Sequence, residues 1–185
     1  MSIKILAFAG SLRKDSLNKK LLANASAYAR AQGFEVEVFD LGEIPVYNQD
    51  IEDTGLPQSV IRFKTAIQGA DLLMISAPEY NHGISGVLKN AIDWATRPDG
   101  DNPFSGKVGI LMGASDGRFG TARGQIDVRK LLVAVDLLTI PQPYVYVAEG
   151  DKQFDAEGNL INEKNKASLE KLIARGIAVA EKLKN

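Results

Sequence analysis

The fold follows from residues 3–18, which read IKILAFAGSLRKDSLN. Residues 3–9 are almost entirely apolar and run into Gly10, as expected of a parallel strand that is covered on both faces. From Leu17 to Tyr28 the apolar residues recur at helical spacing, and Gly33 supplies a stop signal. A buried strand, a polar loop and an amphipathic helix in this order predict the start of an alternating α/β chain.

The same alternation continues along the rest of the sequence. The further strands are predicted at Glu35–Phe39, Leu72–Ser76, residues 107–114 and residues 144–148. The further helices are predicted at residues 60–67, 87–95, 121–138 and 163–183. Five strands that alternate with helices predict a doubly wound, five-stranded parallel sheet in the order 2-1-3-4-5, with helices on both faces.

The bulk composition is that of an average globular domain. The chain has 185 residues, of which 45% are hydrophobic and 24% charged. Its 22 basic and 23 acidic residues leave a net charge of −1, so no global field favours nucleic acid or an anionic membrane. The first apolar stretch is too short to insert across a membrane and lacks a typical signal-peptide organisation. We therefore expect a soluble, cytoplasmic protein with a small-molecule partner.

The sequence contains no cysteine. This excludes disulfides, thiolate metal sites, iron–sulfur ligation, a cysteine nucleophile and a dithiol redox pair, so redox chemistry requires a bound cofactor. The single histidine, His82, has no histidine partner, and we predict no metal site and interpret His82 as part of the loop structure. No catalytic triad or obligatory acid–base residue is recognisable.

The loop after the first strand suits a phosphate group. An anion can be held there by several groups together: the hydroxyls of Ser11 and Ser16, the Asn18 amide, the Arg13 cation and backbone donors at the helix start. Because the loop lacks both the Gly-x-Gly-x-x-Gly pattern and the Walker ending, a monophosphate fits better than a dinucleotide or a triphosphate. The alternative is that Ser16 only caps the helix, while Arg13 and Lys14 are solvated.

The loop after the third strand, residues 78–86, combines polar groups, an aromatic ring and glycines. Tyr80 can shield a planar ligand, Asn81 can bond to a heteroaromatic edge, and the glycines permit close backbone approach. Taken individually, Glu79 is better interpreted as a solvated carboxylate and Ser85 as a helix N-cap.

A third glycine-rich loop, residues 113–120, follows the fourth strand. By itself it is an ordinary turn into the next helix. However, the loops after strands one, three and four meet at one end of a doubly wound sheet. We therefore predict the ligand site at this end.

Two motifs in this order resemble the NADPH-dependent FMN reductase family, which includes quinone and chromate reductases. The first is GSLRK at residues 10–14 with Ser16 and Asn18, and the second is PEYN at residues 78–81, continuing to KNAIDW at residues 89–94. The resemblance spans almost the whole chain. It implies a single flavodoxin-like, FMN-binding domain over residues 1–185, with non-covalent FMN and a homodimer or homotetramer.

The resemblance also implies which residues bind the cofactor. It places the FMN phosphate among Ser11, Arg13, Ser16, Leu17 and Asn18, and the isoalloxazine beside Pro78, Glu79, Tyr80 and Asn81. Ser115 and Gly117 are added from the third loop, which varies more within the family.

The implied reaction is a ping-pong oxidoreduction. NADH or NADPH reduces the flavin and leaves, and an oxidised acceptor then takes the electrons; the chemistry is carried by FMN, so no catalytic side chain is assigned. Quinones are the preferred acceptors, and free flavin, chromate, ferric chelates and azo compounds are further ones.

Two other functions fit the same sheet. A flavodoxin-type electron carrier would not turn over nicotinamide and would be strongly acidic, whereas this chain is nearly neutral and carries Arg13 and Lys14 beside the loop. A response-regulator-like switch needs acidic residues after the first strand to hold magnesium, and residues 9–11 offer none.

Apolar residues at 131–138 and around Trp94 predict a subunit interface with flavin nearby; burial against the sheet is the alternative. Either Arg13 or Arg118 can reach a 2′-phosphate, so the choice between NADH and NADPH stays open.

Overall fold

A parallel sheet between two layers of helices organises the chain, and the computed structural model describes residues 2–184 of it. The strands are β1 Lys4–Ala9, β2 Glu35–Phe39, β3 Leu72–Ser76, β4 Glu79–Tyr80, β5 Gly83–Ile84, β6 Val108–Ala114, β7 Leu138–Thr139 and β8 Val145–Val147. The helices are α1 Leu17–Ala31, α2 Gln49–Glu52, α3 Gln58–Gly69, α4 Gly86–Ala95, α5 Ala122–Ala134 and α6 Glu163–Lys184. No helix within residues 2–184 is long and apolar enough to cross a membrane.

The predicted strand order is confirmed. Strands β2, β1, β3 and β6 lie side by side and are all parallel. The fifth position is shared by two short strands, because β7 pairs with the start of β6 and β8 with its end. Pro141 and Pro143 lie between them and have no N–H group to donate to a ladder, which explains why this edge is interrupted.

The helix predicted at residues 121–138 ends at Ala134, so its last four residues were assigned wrongly. The chain leaves the helix through a Schellman arrangement, in which the N–H of Leu137 donates to the carbonyl of Leu132 and that of Asp136 to the carbonyl of Val133. Asp136 takes the left-handed conformation, with φ of 57°, at the position that glycine usually fills. The usual sequence signal for the helix end is therefore absent.

The sheet has a separate apolar layer on each face. Alternate residues of β1 point to opposite sides: Ile5 and Ala7 pack with α1 and α6, whereas Leu6 and Phe8 pack with α3, α4 and α5. Strand β3 is buried at all five positions for the same reason. Two-sided burial explains why these strands read as continuous apolar runs rather than as alternating patterns.

The KNAIDW motif holds the long connection after β2 against α4. The side-chain N–H groups of Asn90 and Trp94 both donate to the carbonyl of Pro45, at 2.8 and 2.9 Å. The N–H of Tyr47 returns a bond to Asn90 Oδ1 at 2.8 Å. The Trp94 side chain is fully buried within the subunit, so packing in the core rather than a subunit interface explains this apolar residue.

A charged contact joins the last turn of α6 to the start of β1. The carboxylate of Asp71 accepts from the backbone N–H of Lys4 at 2.8 Å and from Lys184 Nζ at 2.7 Å. Partial burial raises the pKa of Asp71, but the hydrogen bonds from Lys184 and from Lys4 N–H outweigh this, and the pKa lies below its ordinary value.

Asp71→Asn is expected to lower the free energy of unfolding at neutral pH by at most about 1 kcal/mol, since the contact is partly solvated. A lowered folded-state pKa gives stability that is present above the unfolded pKa of about 4 and is lost as the pH falls through the folded value. Urea titrations at neutral and acidic pH measure this difference, with Glu181→Gln on the exposed side of α6 as the control. A difference that persists unchanged in acid contradicts the assignment.

Candidate functional site

A cleft opens where the carboxyl ends of β1, β3 and β6 meet, as predicted from the topology. It consists of two adjoining cavities of about 320 Å³ each, which share Glu79 and Ser115. The first cavity is lined by Ser11, Arg13, Ser16, Leu17, Asn18, Pro78, Glu79, Tyr80, Ala114, Ser115 and Asp116. The second cavity is lined by Glu79, Asn81, His82, Ser115, Gly117, Phe119, Gly120 and Arg123. Every predicted site residue therefore lines one cavity or the other.

The loop between β1 and α1 presents hydrogen-bond donors to the first cavity. Ser16 caps α1, because its hydroxyl oxygen accepts from the N–H groups of Asn18 and Lys19 at 3.2 and 3.4 Å, while the hydroxyl hydrogen is left to donate. Among the described residues, the backbone N–H groups of residues 11–15 find no protein acceptor. Within the same part of the chain, Arg13 pairs with no carboxylate. Ser16 thus caps α1, as the alternative interpretation of this loop expected, and it also lines the first cavity.

Asn18 lines the first cavity, but its side chain is bound to protein groups. Its Nδ2 donates to the carbonyl of Ala114 at 2.9 Å, and its Oδ1 accepts from Ala114 N–H at 3.0 Å and from Ser76 Oγ at 3.1 Å. The pairing of β3 with β6 ends at Ser76 and Met112, and beyond it the amide of Asn18 takes the place of a neighbouring strand beside Ala114. The sequence analysis predicted that this amide binds the anion. In the structure it instead joins α1 to β3 and β6.

The first two loops contact each other directly. Ser85 Oγ donates to the carbonyl of Gly10 at 2.8 Å and accepts from the N–H of Leu88 at 3.3 Å, so it caps α4 as the individual interpretation expected. A Cβ atom on Gly10 would lie 2.7 Å from Ser85 Oγ and 2.9 Å from Leu88 Cβ. Only glycine fits at this crossing of the two loops.

The second loop contains an antiparallel hairpin, formed by β4 and β5, that the sequence analysis did not predict. Its two turn residues, Asn81 and His82, have φ of 51° and 66°, as in the turns that suit the twist of a tight hairpin. Tyr80 is 53% exposed beside the first cavity, and its hydroxyl lies 3.4 Å from Ser11 Oγ. The hairpin thus gives the second loop a defined shape at the centre of the cleft.

Glu79 is not a solvated carboxylate, and that interpretation was wrong. Its side chain is 10% exposed, and its Oε2 accepts from the backbone N–H of Gly124 in the first turn of α5 at 2.8 Å. Thr121, at the N-cap of α5, makes no capping hydrogen bond with its side chain. Glu79 therefore caps a helix 45 residues further along the chain, where a negative charge is also favoured by the helix dipole.

The third loop is held in place by the segment that follows β8. The N–H of Ser115 donates to the carbonyl of Val147 at 3.0 Å, and the N–H of Glu149 donates to the carbonyl of Gly117 at 3.2 Å. Ser115 Oγ in turn accepts from the N–H of Gly117 at 3.1 Å. The loop is thus more than a simple turn. Arg118 is exposed and lines neither cavity.

Sequence analysis missed Arg123 and Phe119, which lie beside His82 in the second cavity. Arg123 Nη1 donates to His82 Nδ1 at 2.8 Å, and the guanidinium carbon lies 4.3 Å from the centre of the Phe119 ring. The sequence signal for Arg123 is its position, since it is a cation in the first turn of the helix that follows a glycine-rich loop.

The donor set of the cleft fits FMN. Within residues 2–184, the first cavity presents hydroxyls, backbone N–H groups without a protein acceptor, and the unpaired guanidinium of Arg13. These groups suit a phosphate. The adjoining aromatic and glycine-rich groups suit a planar ring system, and the two cavities together fall in the size range of cofactor sites.

Comparison with known proteins gives the same result. Residues 3–152 match the family described as NADPH-dependent FMN reductase. The chain is 44% identical to the NAD(P)H-dependent FMN reductase of Pseudomonas aeruginosa, over 88% of this chain and 86% of that protein. It is 40% identical to the 2-hydroxy-1,4-benzoquinone reductase of a Burkholderia species, over 92% of each chain.

A solved structure shows the same fold at higher coverage. The flavoenzyme NAD(P)H:(acceptor) oxidoreductase FerB from Paracoccus denitrificans superposes with a TM-score of 0.89 and 34% identity, over 97% of this chain and 98% of that one. The predicted resemblance and the flavodoxin-like fold are thereby confirmed. The chain belongs to the NADPH-dependent FMN reductase family, and it is an FMN-dependent NAD(P)H oxidoreductase rather than an electron carrier.

Proposed function

We propose that this chain, as a single domain over residues 1–185, reduces quinones with electrons from NADPH or NADH in a ping-pong cycle. When bound, FMN supplies the chemistry that accepts hydride and passes electrons on. The observation that carries the proposal is that a first cavity lined by Ser11, Ser16 and Arg13 adjoins a second cavity lined by Asn81 and Phe119.

The first cavity holds the FMN phosphate. Ser11 and Ser16 donate from their hydroxyls, Arg13 supplies the compensating charge, and the backbone N–H groups of residues 11–15 add donors at the start of α1. Leu17 closes the apolar side of this cavity, and Asn18 positions the loop through Ala114 and Ser76.

The hairpin and the third loop hold the isoalloxazine ring. Pro78, Tyr80 and Asn81 would border the ring, and Glu79 fixes the hairpin by accepting from the N–H of Gly124 in α5. Ser115 and Gly117 of the third loop would border the ring as well, since glycine permits close backbone approach. The chain's contribution is orientation and stabilisation of negative charge, and no acid–base side chain takes part.

The acceptor binds in the second cavity after the nicotinamide has left. The exposed ring of Phe119 in this cavity, with that of Tyr80 in the adjoining first cavity, favours flat molecules such as quinones. The names of the relatives point the same way. Free flavin, chromate, ferric chelates and azo compounds are proposed as further acceptors of this shared site.

We also propose a homodimer or homotetramer in the cytoplasm. On α5 and β7, Ile126, Val133 and Leu138 are 56%, 74% and 50% exposed, and burial of these apolar side chains favours self-association. Light scattering at micromolar concentration tests the oligomer, and a monodisperse monomer contradicts it.

Steady-state kinetics of the purified, FMN-loaded protein test the function. We expect oxidation of NADPH or NADH with 1,4-benzoquinone to be much faster than with free FMN at the same concentration. Parallel double-reciprocal lines are expected for a ping-pong cycle. A rate no higher than that of free FMN contradicts the proposal.

A further inference from the structure

We propose that Arg123 binds a phosphate group of the nicotinamide dinucleotide and so determines the affinity of the enzyme for its electron donor. This inference rests on the proposed function and assigns a subsite to its donor. The phosphate is either the pyrophosphate, which NADH and NADPH share, or the 2′-phosphate of NADPH.

Two neighbouring side chains orient Arg123. Phe119 lies under the guanidinium at 4.3 Å, and His82 Nδ1 accepts one of its hydrogen bonds at 2.8 Å. The same ring nitrogen of His82 lies 3.5 Å from Oε1 of Glu79. Within residues 2–184 no carboxylate pairs with Arg123, whereas Arg62 and Arg97 each have an acidic partner.

The hairpin that carries His82 is locked onto the helix that carries Arg123. Glu79 accepts from the N–H of Gly124, and a Cβ atom on Gly124 would lie only 3.0 Å from the carbonyl of Gly83. His82 keeps an uncommon left-handed backbone, with φ of 66°, that presents its ring to Arg123. The pair is thus held in position before a ligand arrives, which favours binding.

The two arginines of the cleft match the phosphates of two ligands. Arg13 lines the first cavity and Arg123 the second, and neither pairs with a carboxylate in the described part of the chain. FMN carries one phosphate group, which accounts for Arg13. Quinones carry no phosphate, whereas the dinucleotide brings phosphate groups to the second cavity that match Arg123 in charge.

The test compares the holoenzyme with Arg123→Gln and Arg123→Lys at saturating 1,4-benzoquinone. Three donors are used: NADPH, NADH and N-benzyl-1,4-dihydronicotinamide, which has no phosphate. For Arg123→Gln we expect the KM for NADPH to rise about 10-fold or more, as for loss of a charge-assisted hydrogen bond, with kcat retained. The KM for the phosphate-free donor should not change. Arg123→Lys keeps the charge and should restore part of the affinity.

The NADH arm identifies the phosphate. An equal rise of KM for NADH supports contact with the pyrophosphate, and an unchanged KM supports contact with the 2′-phosphate. The control is Arg175→Gln on α6, an exposed arginine on the other face of the sheet, which should leave all three KM values unchanged.

The inference is overturned if the KM values for both dinucleotides stay at the wild-type level. It is equally overturned if the phosphate-free donor loses as much affinity as NADPH, because Arg123 would then act only through the structure. Failure of the proposed function looks different, since the wild-type enzyme would then turn over none of the three donors.

Discussion

Asn18→Ala is expected to lower the free energy of unfolding by about 2–4 kcal/mol, because buried partners then lose their hydrogen bonds. The N–H and carbonyl of Ala114 and the hydroxyl of Ser76 all bond to the Asn18 amide, and Ser76 is fully buried. Alanine leaves these buried groups without their side-chain partner. Urea denaturation of the two proteins measures the change.

The same substitution should also weaken FMN binding, since Asn18 fixes the phosphate loop to the ends of β3 and β6. Asn24→Ala is the matched control, because Asn24 lies on the same helix and bonds to the backbone of Gly158 and Leu160, away from the cleft. We expect Asn24→Ala to cost stability but to keep the FMN affinity. If both variants lose FMN equally, a general loss of stability explains the effect and Asn18 has no positioning role.

Arg13→Ala is expected to raise the Kd for FMN by about 10- to 100-fold, as for loss of a charged hydrogen-bond donor to phosphate. Arg13 lines the first cavity and pairs with no carboxylate in residues 2–184, so its charge is available to the ligand. Flavin fluorescence titration of the apoprotein measures the Kd.

Lys14→Ala is the control for this prediction. Lys14 is the next residue, is exposed and lines neither cavity, so its removal changes the net charge equally without removing a contact. A similar rise in Kd for both variants would mean that Arg13 contributes only through the long-range field.

The strands and the location of the cleft could be predicted because their signals are local. Because β1 and β3 are buried on both faces, their sequences are continuous apolar runs. Right-handed crossovers then place the loops that follow these strands at one end of the sheet. The site residues that were predicted from the loop motifs at residues 10–18 and 78–81 all line one of the two cavities.

What the sequence did not reveal depends on contacts between distant residues. Glu79 caps α5, and Asn18 replaces a strand beside Ala114, 96 residues away. No periodicity or turn signal encodes such partners. Asp136 follows the end of α5 at a position where glycine is the usual signal. The contact between Arg123 and His82 forms only when the hairpin and α5 come together in the fold. These features required the folded chain.

The most direct test of a phosphate site in the β1–α1 loop is the affinity of the wild-type apoprotein for FMN compared with riboflavin, which lacks only the phosphate. If several charge-assisted hydrogen bonds hold that phosphate, FMN should bind about 100-fold more tightly or better, and Arg13→Ala should narrow the difference. Equal affinities for FMN and riboflavin would contradict a phosphate site at residues 10–18.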